Sequence, residues 1–495
     1  MKKQIFNPYL QLDTYIPDGE PHVFEDRLYI FGSHDEEGGN KFCVLPYECW
    51  SAPLSDLTDF RCEGTIYEAE QDPFYSDSQK YMYAPDVVRG NDGRYYLYYA
   101  MTGEGCFTGP IHVAVCDTPG GKYEYYGAVQ TCDGKPLNLY VTFDPAVIND
   151  NGNIWLYYGW SLEREDAGCQ IPEEMKLQAE MMLFGKTKEE IEAGSHPYMG
   201  ANAVQLQDDM LTVFSEPSRI VPGQFESGGT DFEGHAFFEA SSIRKIGDTY
   251  YFIYSSQFQH ELCYATSKYP DRDFTYGGTI ISNGDIRMDG RKPKDRLAIT
   301  GNNHGSLVQL NNDWYIFYHR HTHKTTYSRQ GCAEKILIDP DGRISQVPMT
   351  SCGLNGGPLV ADGVYPAVIC CNLTNGKMPH QGTEPITKPL PHITNRGEER
   401  FISEIENGTW IGYKYFEFDG LHVITVKHRG DVEGVIKIYT DEKSIGEIAI
   451  EPSIVWHKSS SMIEETGTHA LYLVFMGRGL LDIEEIGFQK TVRDR

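Results

Sequence analysis

One short pattern recurs five times along this chain and constrains its fold more than any other feature. Each copy is a turn containing Asp, Asn or Gly, followed by an apolar run rich in aromatics. The copies are EDRLYIFGSHD (25–35), NDGRYYLYYA (91–100), NDNGNIWLYYGWS (149–161), KIGDTYYFIYSS (245–256) and NNDWYIFYHRH (311–321). Asp-Gly and Asn-Gly tolerate positive φ and close hairpins, and the Tyr, Phe and Ile runs suit strands. With Tyr29, Tyr96, Trp155, Tyr251 and Tyr315 as markers, the spacings are 67, 59, 96 and 64 residues. A period near 60 accommodates four short strands with their loops, the unit of a propeller blade. The long interval contains residues 171–194, rich in helix formers, which read as a helical insertion in the third blade. The expected fold is all-β, with a five-bladed β-propeller over residues 1–375.

An ionisable residue precedes each marker by ten to twelve positions: Asp18, Asp86, Asp144, Glu239 and His304. The first strand of a propeller blade lines the central channel, so equivalent positions converge on one axis. Any one of these acids alone fits a turn or a cap; five at matched offsets argue for a site. Carboxylates held together cannot all ionise freely, and some pKa values must rise. Two carboxyl groups are what glycosidic hydrolysis requires, one to protonate the leaving oxygen and one to attack or activate water. A third can hold up the pKa of the proton donor. Phe143, Trp160, Tyr83 and Trp50 offer faces for sugar rings, although each also fits a core.

Charge narrows the classes further. The chain has 43 basic and 71 acidic residues, a net charge of −28, which excludes binding to nucleic acid and to anionic membrane surfaces. No stretch approaches the roughly 18 apolar residues of a membrane span. The N-terminus carries two lysines but no apolar signal-peptide core, so a cytoplasmic location is expected. The 12 cysteines are scattered without a CxxC pair and read as reduced, buried hydrophobes. His319, His321 and His323 alternate on one predicted strand and invite a metal reading. No HExxH or Cys cluster supports zinc there, so they are expected to form a polar rim.

Gly and Pro density rises over 355–392, which marks a linker. Short alternating runs follow, among them TWIGYKYFEF (409–418), GVIKIYTD (434–441) and HALYLVFMGRG (469–479). Their spacing predicts an antiparallel β-sandwich over 380–495.

The pieces YIPDGEPHVFEDRLYIFGSHD, MYAPDVVRGNDGRYYLYY, TFDPAVINDNGNIWLYYG, EASSIRKIGDTYYFIYSS and GNNHGSLVQLNNDWYIFYHR together resemble glycoside hydrolase family 43 over residues 6–350. The resemblance implies a five-bladed propeller that inverts at the anomeric centre. It assigns Asp18 as general base, Asp144 as pKa modulator and Glu239 as general acid. It places His304 at the axis, helping to hold a calcium or sodium ion, with no organic cofactor. Asp86 would line the pocket, and Arg329, in YSRQGCAEK, would bind the sugar or orient an acid. The family usually has Asp-Pro at the base position, whereas Gly19 follows Asp18. A shifted register offers Glu20-Pro21, but ungapped counting from VFEDRLYIFGSHD returns Asp18. NGTWIGYKYFEF and HALYLVFMGRGLLDIEEIGF resemble family 6 carbohydrate-binding modules, with Trp410 and Trp456 as sugar-facing candidates or as parts of a structural buttress. The expected substrate is an oligosaccharide carrying terminal α-L-arabinofuranosyl or β-D-xylosyl units. Endo-arabinanase activity and a non-catalytic glycan-binding propeller are the alternatives.

Overall fold

The computed structural model describes residues 3–103, 109–138, 140–161, 173–184, 187–192, 199–382 and 384–491. Five antiparallel sheets follow one another in sequence. Blade one contains Glu20–Phe24, Arg27–Phe31, Tyr47–Pro53 and Arg61–Tyr67, and blade two Tyr81–Arg89, Tyr95–Thr102, Ile111–Cys116 and Glu124–Ala128. Blade three contains Ala146–Asp150, Asn153–Trp160, Gly200–Leu206 and Ser218–Pro222. Blade four contains Phe237–Ile246, Thr249–Ser256, Leu262–Ser267 and Thr275–Ile281. Blade five has three strands, Leu307–Leu310, Asp313–His321 and Arg329–Ile336. The five aromatic runs form the second strand of each blade.

The beginning of the chain fastens the last blade. Tyr9 N donates to Gly331 O at 3.3 Å. The Asn7 carboxamide accepts from Ala333 N at 2.9 Å and donates to Ala333 O at 3.0 Å. These bonds satisfy backbone groups at what would otherwise be an open sheet edge.

Tyrosine abundance has a physical reason here. Rings such as Tyr98, Tyr157 and Tyr254 are fully buried between blades, and their hydroxyls reach carbonyls: Met210 O at 2.7 Å, Pro270 O at 2.9 Å and His235 O at 2.7 Å. Each thus buries a large apolar ring without leaving a polar atom unmatched. The helical insertion is present as Glu173–Phe184 and Lys188–Glu192; residues 171, 172, 185, 186, 193 and 194 of the expected segment lie outside the described residues.

The C-terminal domain is a β-sandwich built on two long strands, Trp410–Gly430 and Ser453–Arg478. Both run through the two layers, so one pairing network joins the whole domain. Its core is aliphatic and aromatic, with Ile411, Phe416, Ile424, Leu473 and Ile486 fully or nearly fully buried. The domain also recruits Leu359–Val360, Gly363–Pro366 and Asn372–Thr374, which pair with Trp410–Gly430 or Leu481–Lys490. These residues fall in the stretch that the sequence assigns to the propeller and the linker, because strands of two to four residues show no periodicity. Lys414 Nζ lies 2.6 Å from Asp285, Lys324 Nζ 2.9 Å from Glu404 and Arg400 2.8 Å from Glu37, tying the domains together. Among the described residues no helix is long and apolar enough to cross a membrane.

Candidate active site

Strand register defines what meets at the axis. The markers Tyr29, Tyr96, Trp155, Tyr251 and Tyr315 pair with His22, Val88, Ile148, Arg244 and Val308. Four residues back from each partner stand Asp18, Ala84, Asp144, Ala240 and His304. Two residues back stand Glu20, Asp86, Ala146, Ser242 and Ser306. The hub therefore has two rows, and the expected residues divide between them. Asp18, Asp144 and His304 occupy equivalent positions. Glu239 precedes Ala240 by one residue, where the blade-four register shifts. Asp86 belongs to the second row: it stands two residues before Val88 in unbroken register, and a blade-two hairpin one residue longer than the others brings its offset to ten. It is 0% exposed, bonded to His22 Nε2 at 2.7 Å and to Val147 N at 2.7 Å. Asp86 thus ties blades one, two and three together from beneath rather than lining an open pocket.

The first row is backbone-strained. Asp18 (φ 56°), Asp144 (φ 44°) and Ala240 (φ 67°) all adopt the left-handed region. Non-glycine residues there cost about 1–3 kcal/mol each and persist where the surroundings dictate them. The bend turns both carboxyl groups and the Ala240 N–H toward one point: Ala240 N donates to Asp144 Oδ2 at 2.9 Å. Asp144 is thereby hydrogen-bonded to the residue next to Glu239.

Asp18 is held from three sides. Arg329 Nη1 donates to its Oδ1 at 2.9 Å, while Nε and Nη2 fork onto Asp35 at 2.8 and 3.0 Å. His319 Nε2 lies 2.8 Å from Asn302 O, which can only accept, so the proton is on Nε2. Nδ1 then accepts from Asp18 N at 3.4 Å and sits 3.2 Å from Asp18 Oδ1. Burial pushes the Asp18 carboxyl up, but the charge of Arg329 outweighs it and holds it well below the usual carboxylate range. Asp144 is different: burial and the charge of Asp18 raise it well above that range, against the Ala240 N–H and Arg329. Two carboxyl groups in one small volume are thus driven apart in pKa, the signature of acid–base chemistry. Burial lowers the pKa of His304, opposed by the charges of Asp18 and Glu20.

The second row stitches the blades. Arg244 Nη2 crosses from blade four to Glu20 Oε2 at 2.8 Å and Pro21 O at 3.0 Å, and its Nε reaches Leu307 O at 2.8 Å. Ser242 and Ser306 hydroxyls meet at 2.6 Å. Glu20, His22 and Asp86 offer ligand atoms within 4.8 Å of one another. His304 Nε2 lies 3.9 Å from Glu20 Oε1, and both atoms are buried without a hydrogen-bond partner among the described residues. Two orphan acceptors beside two carboxylates fit a small hard cation. In the second donor group, His235, Glu261 and Cys263, Arg287 pairs with Glu261 at 2.7 Å as Arg244 does with Glu20, and His235 Nδ1 is already taken up by Glu261 and the Tyr276 hydroxyl, each at 2.9 Å.

Rings surround the hub. Tyr327 meets Phe42 (centroids 4.6 Å), Phe42 meets Tyr83 (6.4 Å) and Tyr83 meets Phe143 (5.3 Å). Phe143 is packed with Trp160, which meets Phe238 at 5.8 Å. Phe143 is buried and Trp160 half-buried. Phe42 also lies under Arg329, 4.8 Å from the guanidinium carbon. Trp50 is not part of this arc; it is core between Tyr9, Ile30 and Phe317.

The decisive comparison concerns the whole propeller. The family model for glycosyl hydrolases family 43 matches residues 7–344. The chain belongs to glycosyl hydrolase family 43. It is 44% identical, over 97% of its length and 98% of the relative's, to a xylosidase/arabinosidase of Thermoclostridium stercorarium. It is 30% identical over 67% of its length, and 96% of the relative's, to xylosidase/arabinosidase 43A of Humicola insolens. Its fold matches a family 43 arabinoxylan arabinofuranohydrolase of Bacillus subtilis, solved with cellotetraose, with a TM-score of 0.50 and 20% identity. That match covers 98% of this chain and 97% of the other and so includes both domains. This family 43 member is a glycoside hydrolase, with a saccharide substrate.

Sequence reasoning missed Asp35, Asn302, His22, Arg244 and Phe42, and placed His319 on a polar rim without its link to Asp18. The alternating histidines carried a signal, but its meaning was different: His319 serves Asp18, His321 bonds Asn302 Oδ1 at 2.9 Å, and His323 bonds Asn395 of the sandwich at 3.1 Å. Trp456 packs between Phe401 and Arg429, whereas Trp410 is 43% exposed and stacked on Tyr439.

Proposed function

We propose that this chain is an inverting exo-glycosidase that removes terminal α-L-arabinofuranosyl or β-D-xylosyl units from plant-cell-wall oligosaccharides. The observation that carries the reading is geometric: Asp18 and Asp144 stand at equivalent positions at the hub, and the Ala240 amide that adjoins Glu239 binds Asp144. The full-length relative, named a xylosidase/arabinosidase, supports this substrate class. Asp18, kept ionised by Arg329, is the general base that takes a proton from water. That water attacks the anomeric carbon from the face opposite the departing oxygen. Glu239 donates its proton to that oxygen as the bond breaks. Asp144 orients the Glu239 segment through Ala240 N–H and adds negative potential beside the acid whenever it is ionised. Phe143 and Trp160 contribute the apolar wall against which a sugar ring packs, and His304 closes the floor between Asp144 and Glu20.

His304, Glu20 and Asp86 would hold a calcium or sodium ion at the axis. When bound, it supplies positive charge that relieves repulsion between the hub carboxylates.

The test is proton NMR of the first sugar released from a xylo-oligosaccharide and an arabino-oligosaccharide, whose leaving groups need a proton, with wild type and Glu239→Gln. Inversion and a large loss in the variant are expected; retention, or equal rates in both proteins, would refute the assignment.

A further inference from the structure

The arc of rings does not end within the propeller. Phe238, next to the proposed acid Glu239, meets His260 with centroids 4.6 Å apart. His260 in turn lies flat on His380, with centroids 5.1 Å apart and planes at 11°. His380 belongs to the loop between the sandwich strands Asn372–Thr374 and His392–Arg396. It is locked to the propeller by backbone bonds on both sides: Thr300 N to Pro379 O at 3.2 Å, and Gln381 N to Thr300 O at 2.6 Å. The Thr300 hydroxyl accepts from Arg296 Nη1 at 3.1 Å and lies 3.0 Å from His380 Nδ1, fixing the ring. Arg296 also donates to Gln259 Oε1 at 2.7 Å, so the turn carrying His260 is secured by the same group. A half-buried imidazole held by this many contacts is a built surface.

We infer that His380, stacked on His260, forms the wall of the sugar pocket on the leaving-group side and is a specificity-determining residue. The inference rests on the exo-glycosidase reading above. Its geometry follows from Glu239: the acid must face the departing oxygen, and the Phe238–His260–His380 series extends from the acid's own flank. The unit beyond the scissile bond therefore meets His380, with buried His260 as its backing. A tenfold change in a rate ratio corresponds to about 1.4 kcal/mol.

The test uses the full chain and three substrates with one glycone and different leaving groups: the glycosyl fluoride, the methyl glycoside and the disaccharide. For His380→Ala, kcat/KM on the disaccharide should fall about tenfold, chiefly through KM, while hydrolysis of the fluoride changes less than about twofold. His380→Phe keeps a ring on His260 and should restore most of the disaccharide rate. Equal losses on all three substrates, or no loss on any, would overturn the role of His380. Thermal unfolding of each variant shows whether an equal loss comes from misfolding, which also counts against the inference. If wild type cleaved none of the three with either pentose, the exo-glycosidase reading itself would fail.

Discussion

Arg329→Met tests the electrostatics of the hub most directly. The guanidinium is 3% exposed and bridges Asp18 and Asp35, which are 5% and 0% exposed in their side chains. Opposite charges about 4 Å apart attract by roughly 4 kcal/mol at an effective dielectric near 20. Losing that attraction destabilises ionised Asp18, with part of the loss offset by relaxation and water entry. The acidic limb of the pH–rate profile should then rise by about 1–3 pH units, the span seen when a carboxylate loses an arginine neighbour. Stability near neutrality should fall by about 3–5 kcal/mol, because two buried carboxylates lose their cation. The sign follows from linkage. In wild type the folded pKa of Asp18 lies below its unfolded value. Its stabilisation is therefore complete above the unfolded pKa of about 3.9 and disappears as pH falls toward the folded value. The assay is kcat/KM for a 4-nitrophenyl glycoside across the acidic and neutral range, alongside urea unfolding. Arg329→Lys keeps the charge but not the fork and should fall between the two. A folded Met variant with an unmoved acidic limb would refute the argument that Arg329 sets the ionisation of the base.

Three further outcomes are expected. Glu239→Gln should lose about 10²–10⁴-fold in rate on oligosaccharides, the usual worth of a general acid, and less on 4-nitrophenyl glycosides, whose leaving group needs little protonation. Asn7→Ala should lower stability by about 1–3 kcal/mol by leaving Ala333 N–H and C=O without partners, measured by urea unfolding with activity per folded molecule unchanged. Asp285→Ala strands Lys414, whose side chain is 8% exposed, at a cost of about 3–5 kcal/mol; calorimetry should show a lower transition for the sandwich.

The sequence made the blades legible because each repeats a turn and a ring-rich strand, and these local signals survive without tertiary context. The acids were legible through their offsets from those strands. Asp86 shows the limit of that method. It stands a row nearer its marker, and a hairpin one residue longer than the others hides this by giving an offset of 10 against 11. Glu239 shifts by one residue through an irregularity in its own strand, and there the FFEASSI motif located it where counting alone was loose. Asp35 and His319 were not legible, because each takes its meaning from a partner about 300 residues distant, Arg329 and Asp18 respectively. The short strands at 359–374 were hidden because pairing, not pattern, makes them strands.

Closure of the ring by Asn7 and Tyr9 has a consequence for synthesis. Asn7 meets Ala333, 326 residues later. A ribosome adding about 5–20 residues per second needs on the order of tens of seconds to cover that distance. The segment carrying Asn7 and Tyr9 must therefore stay unattached until the fifth blade emerges, and the nascent propeller carries an open seam throughout.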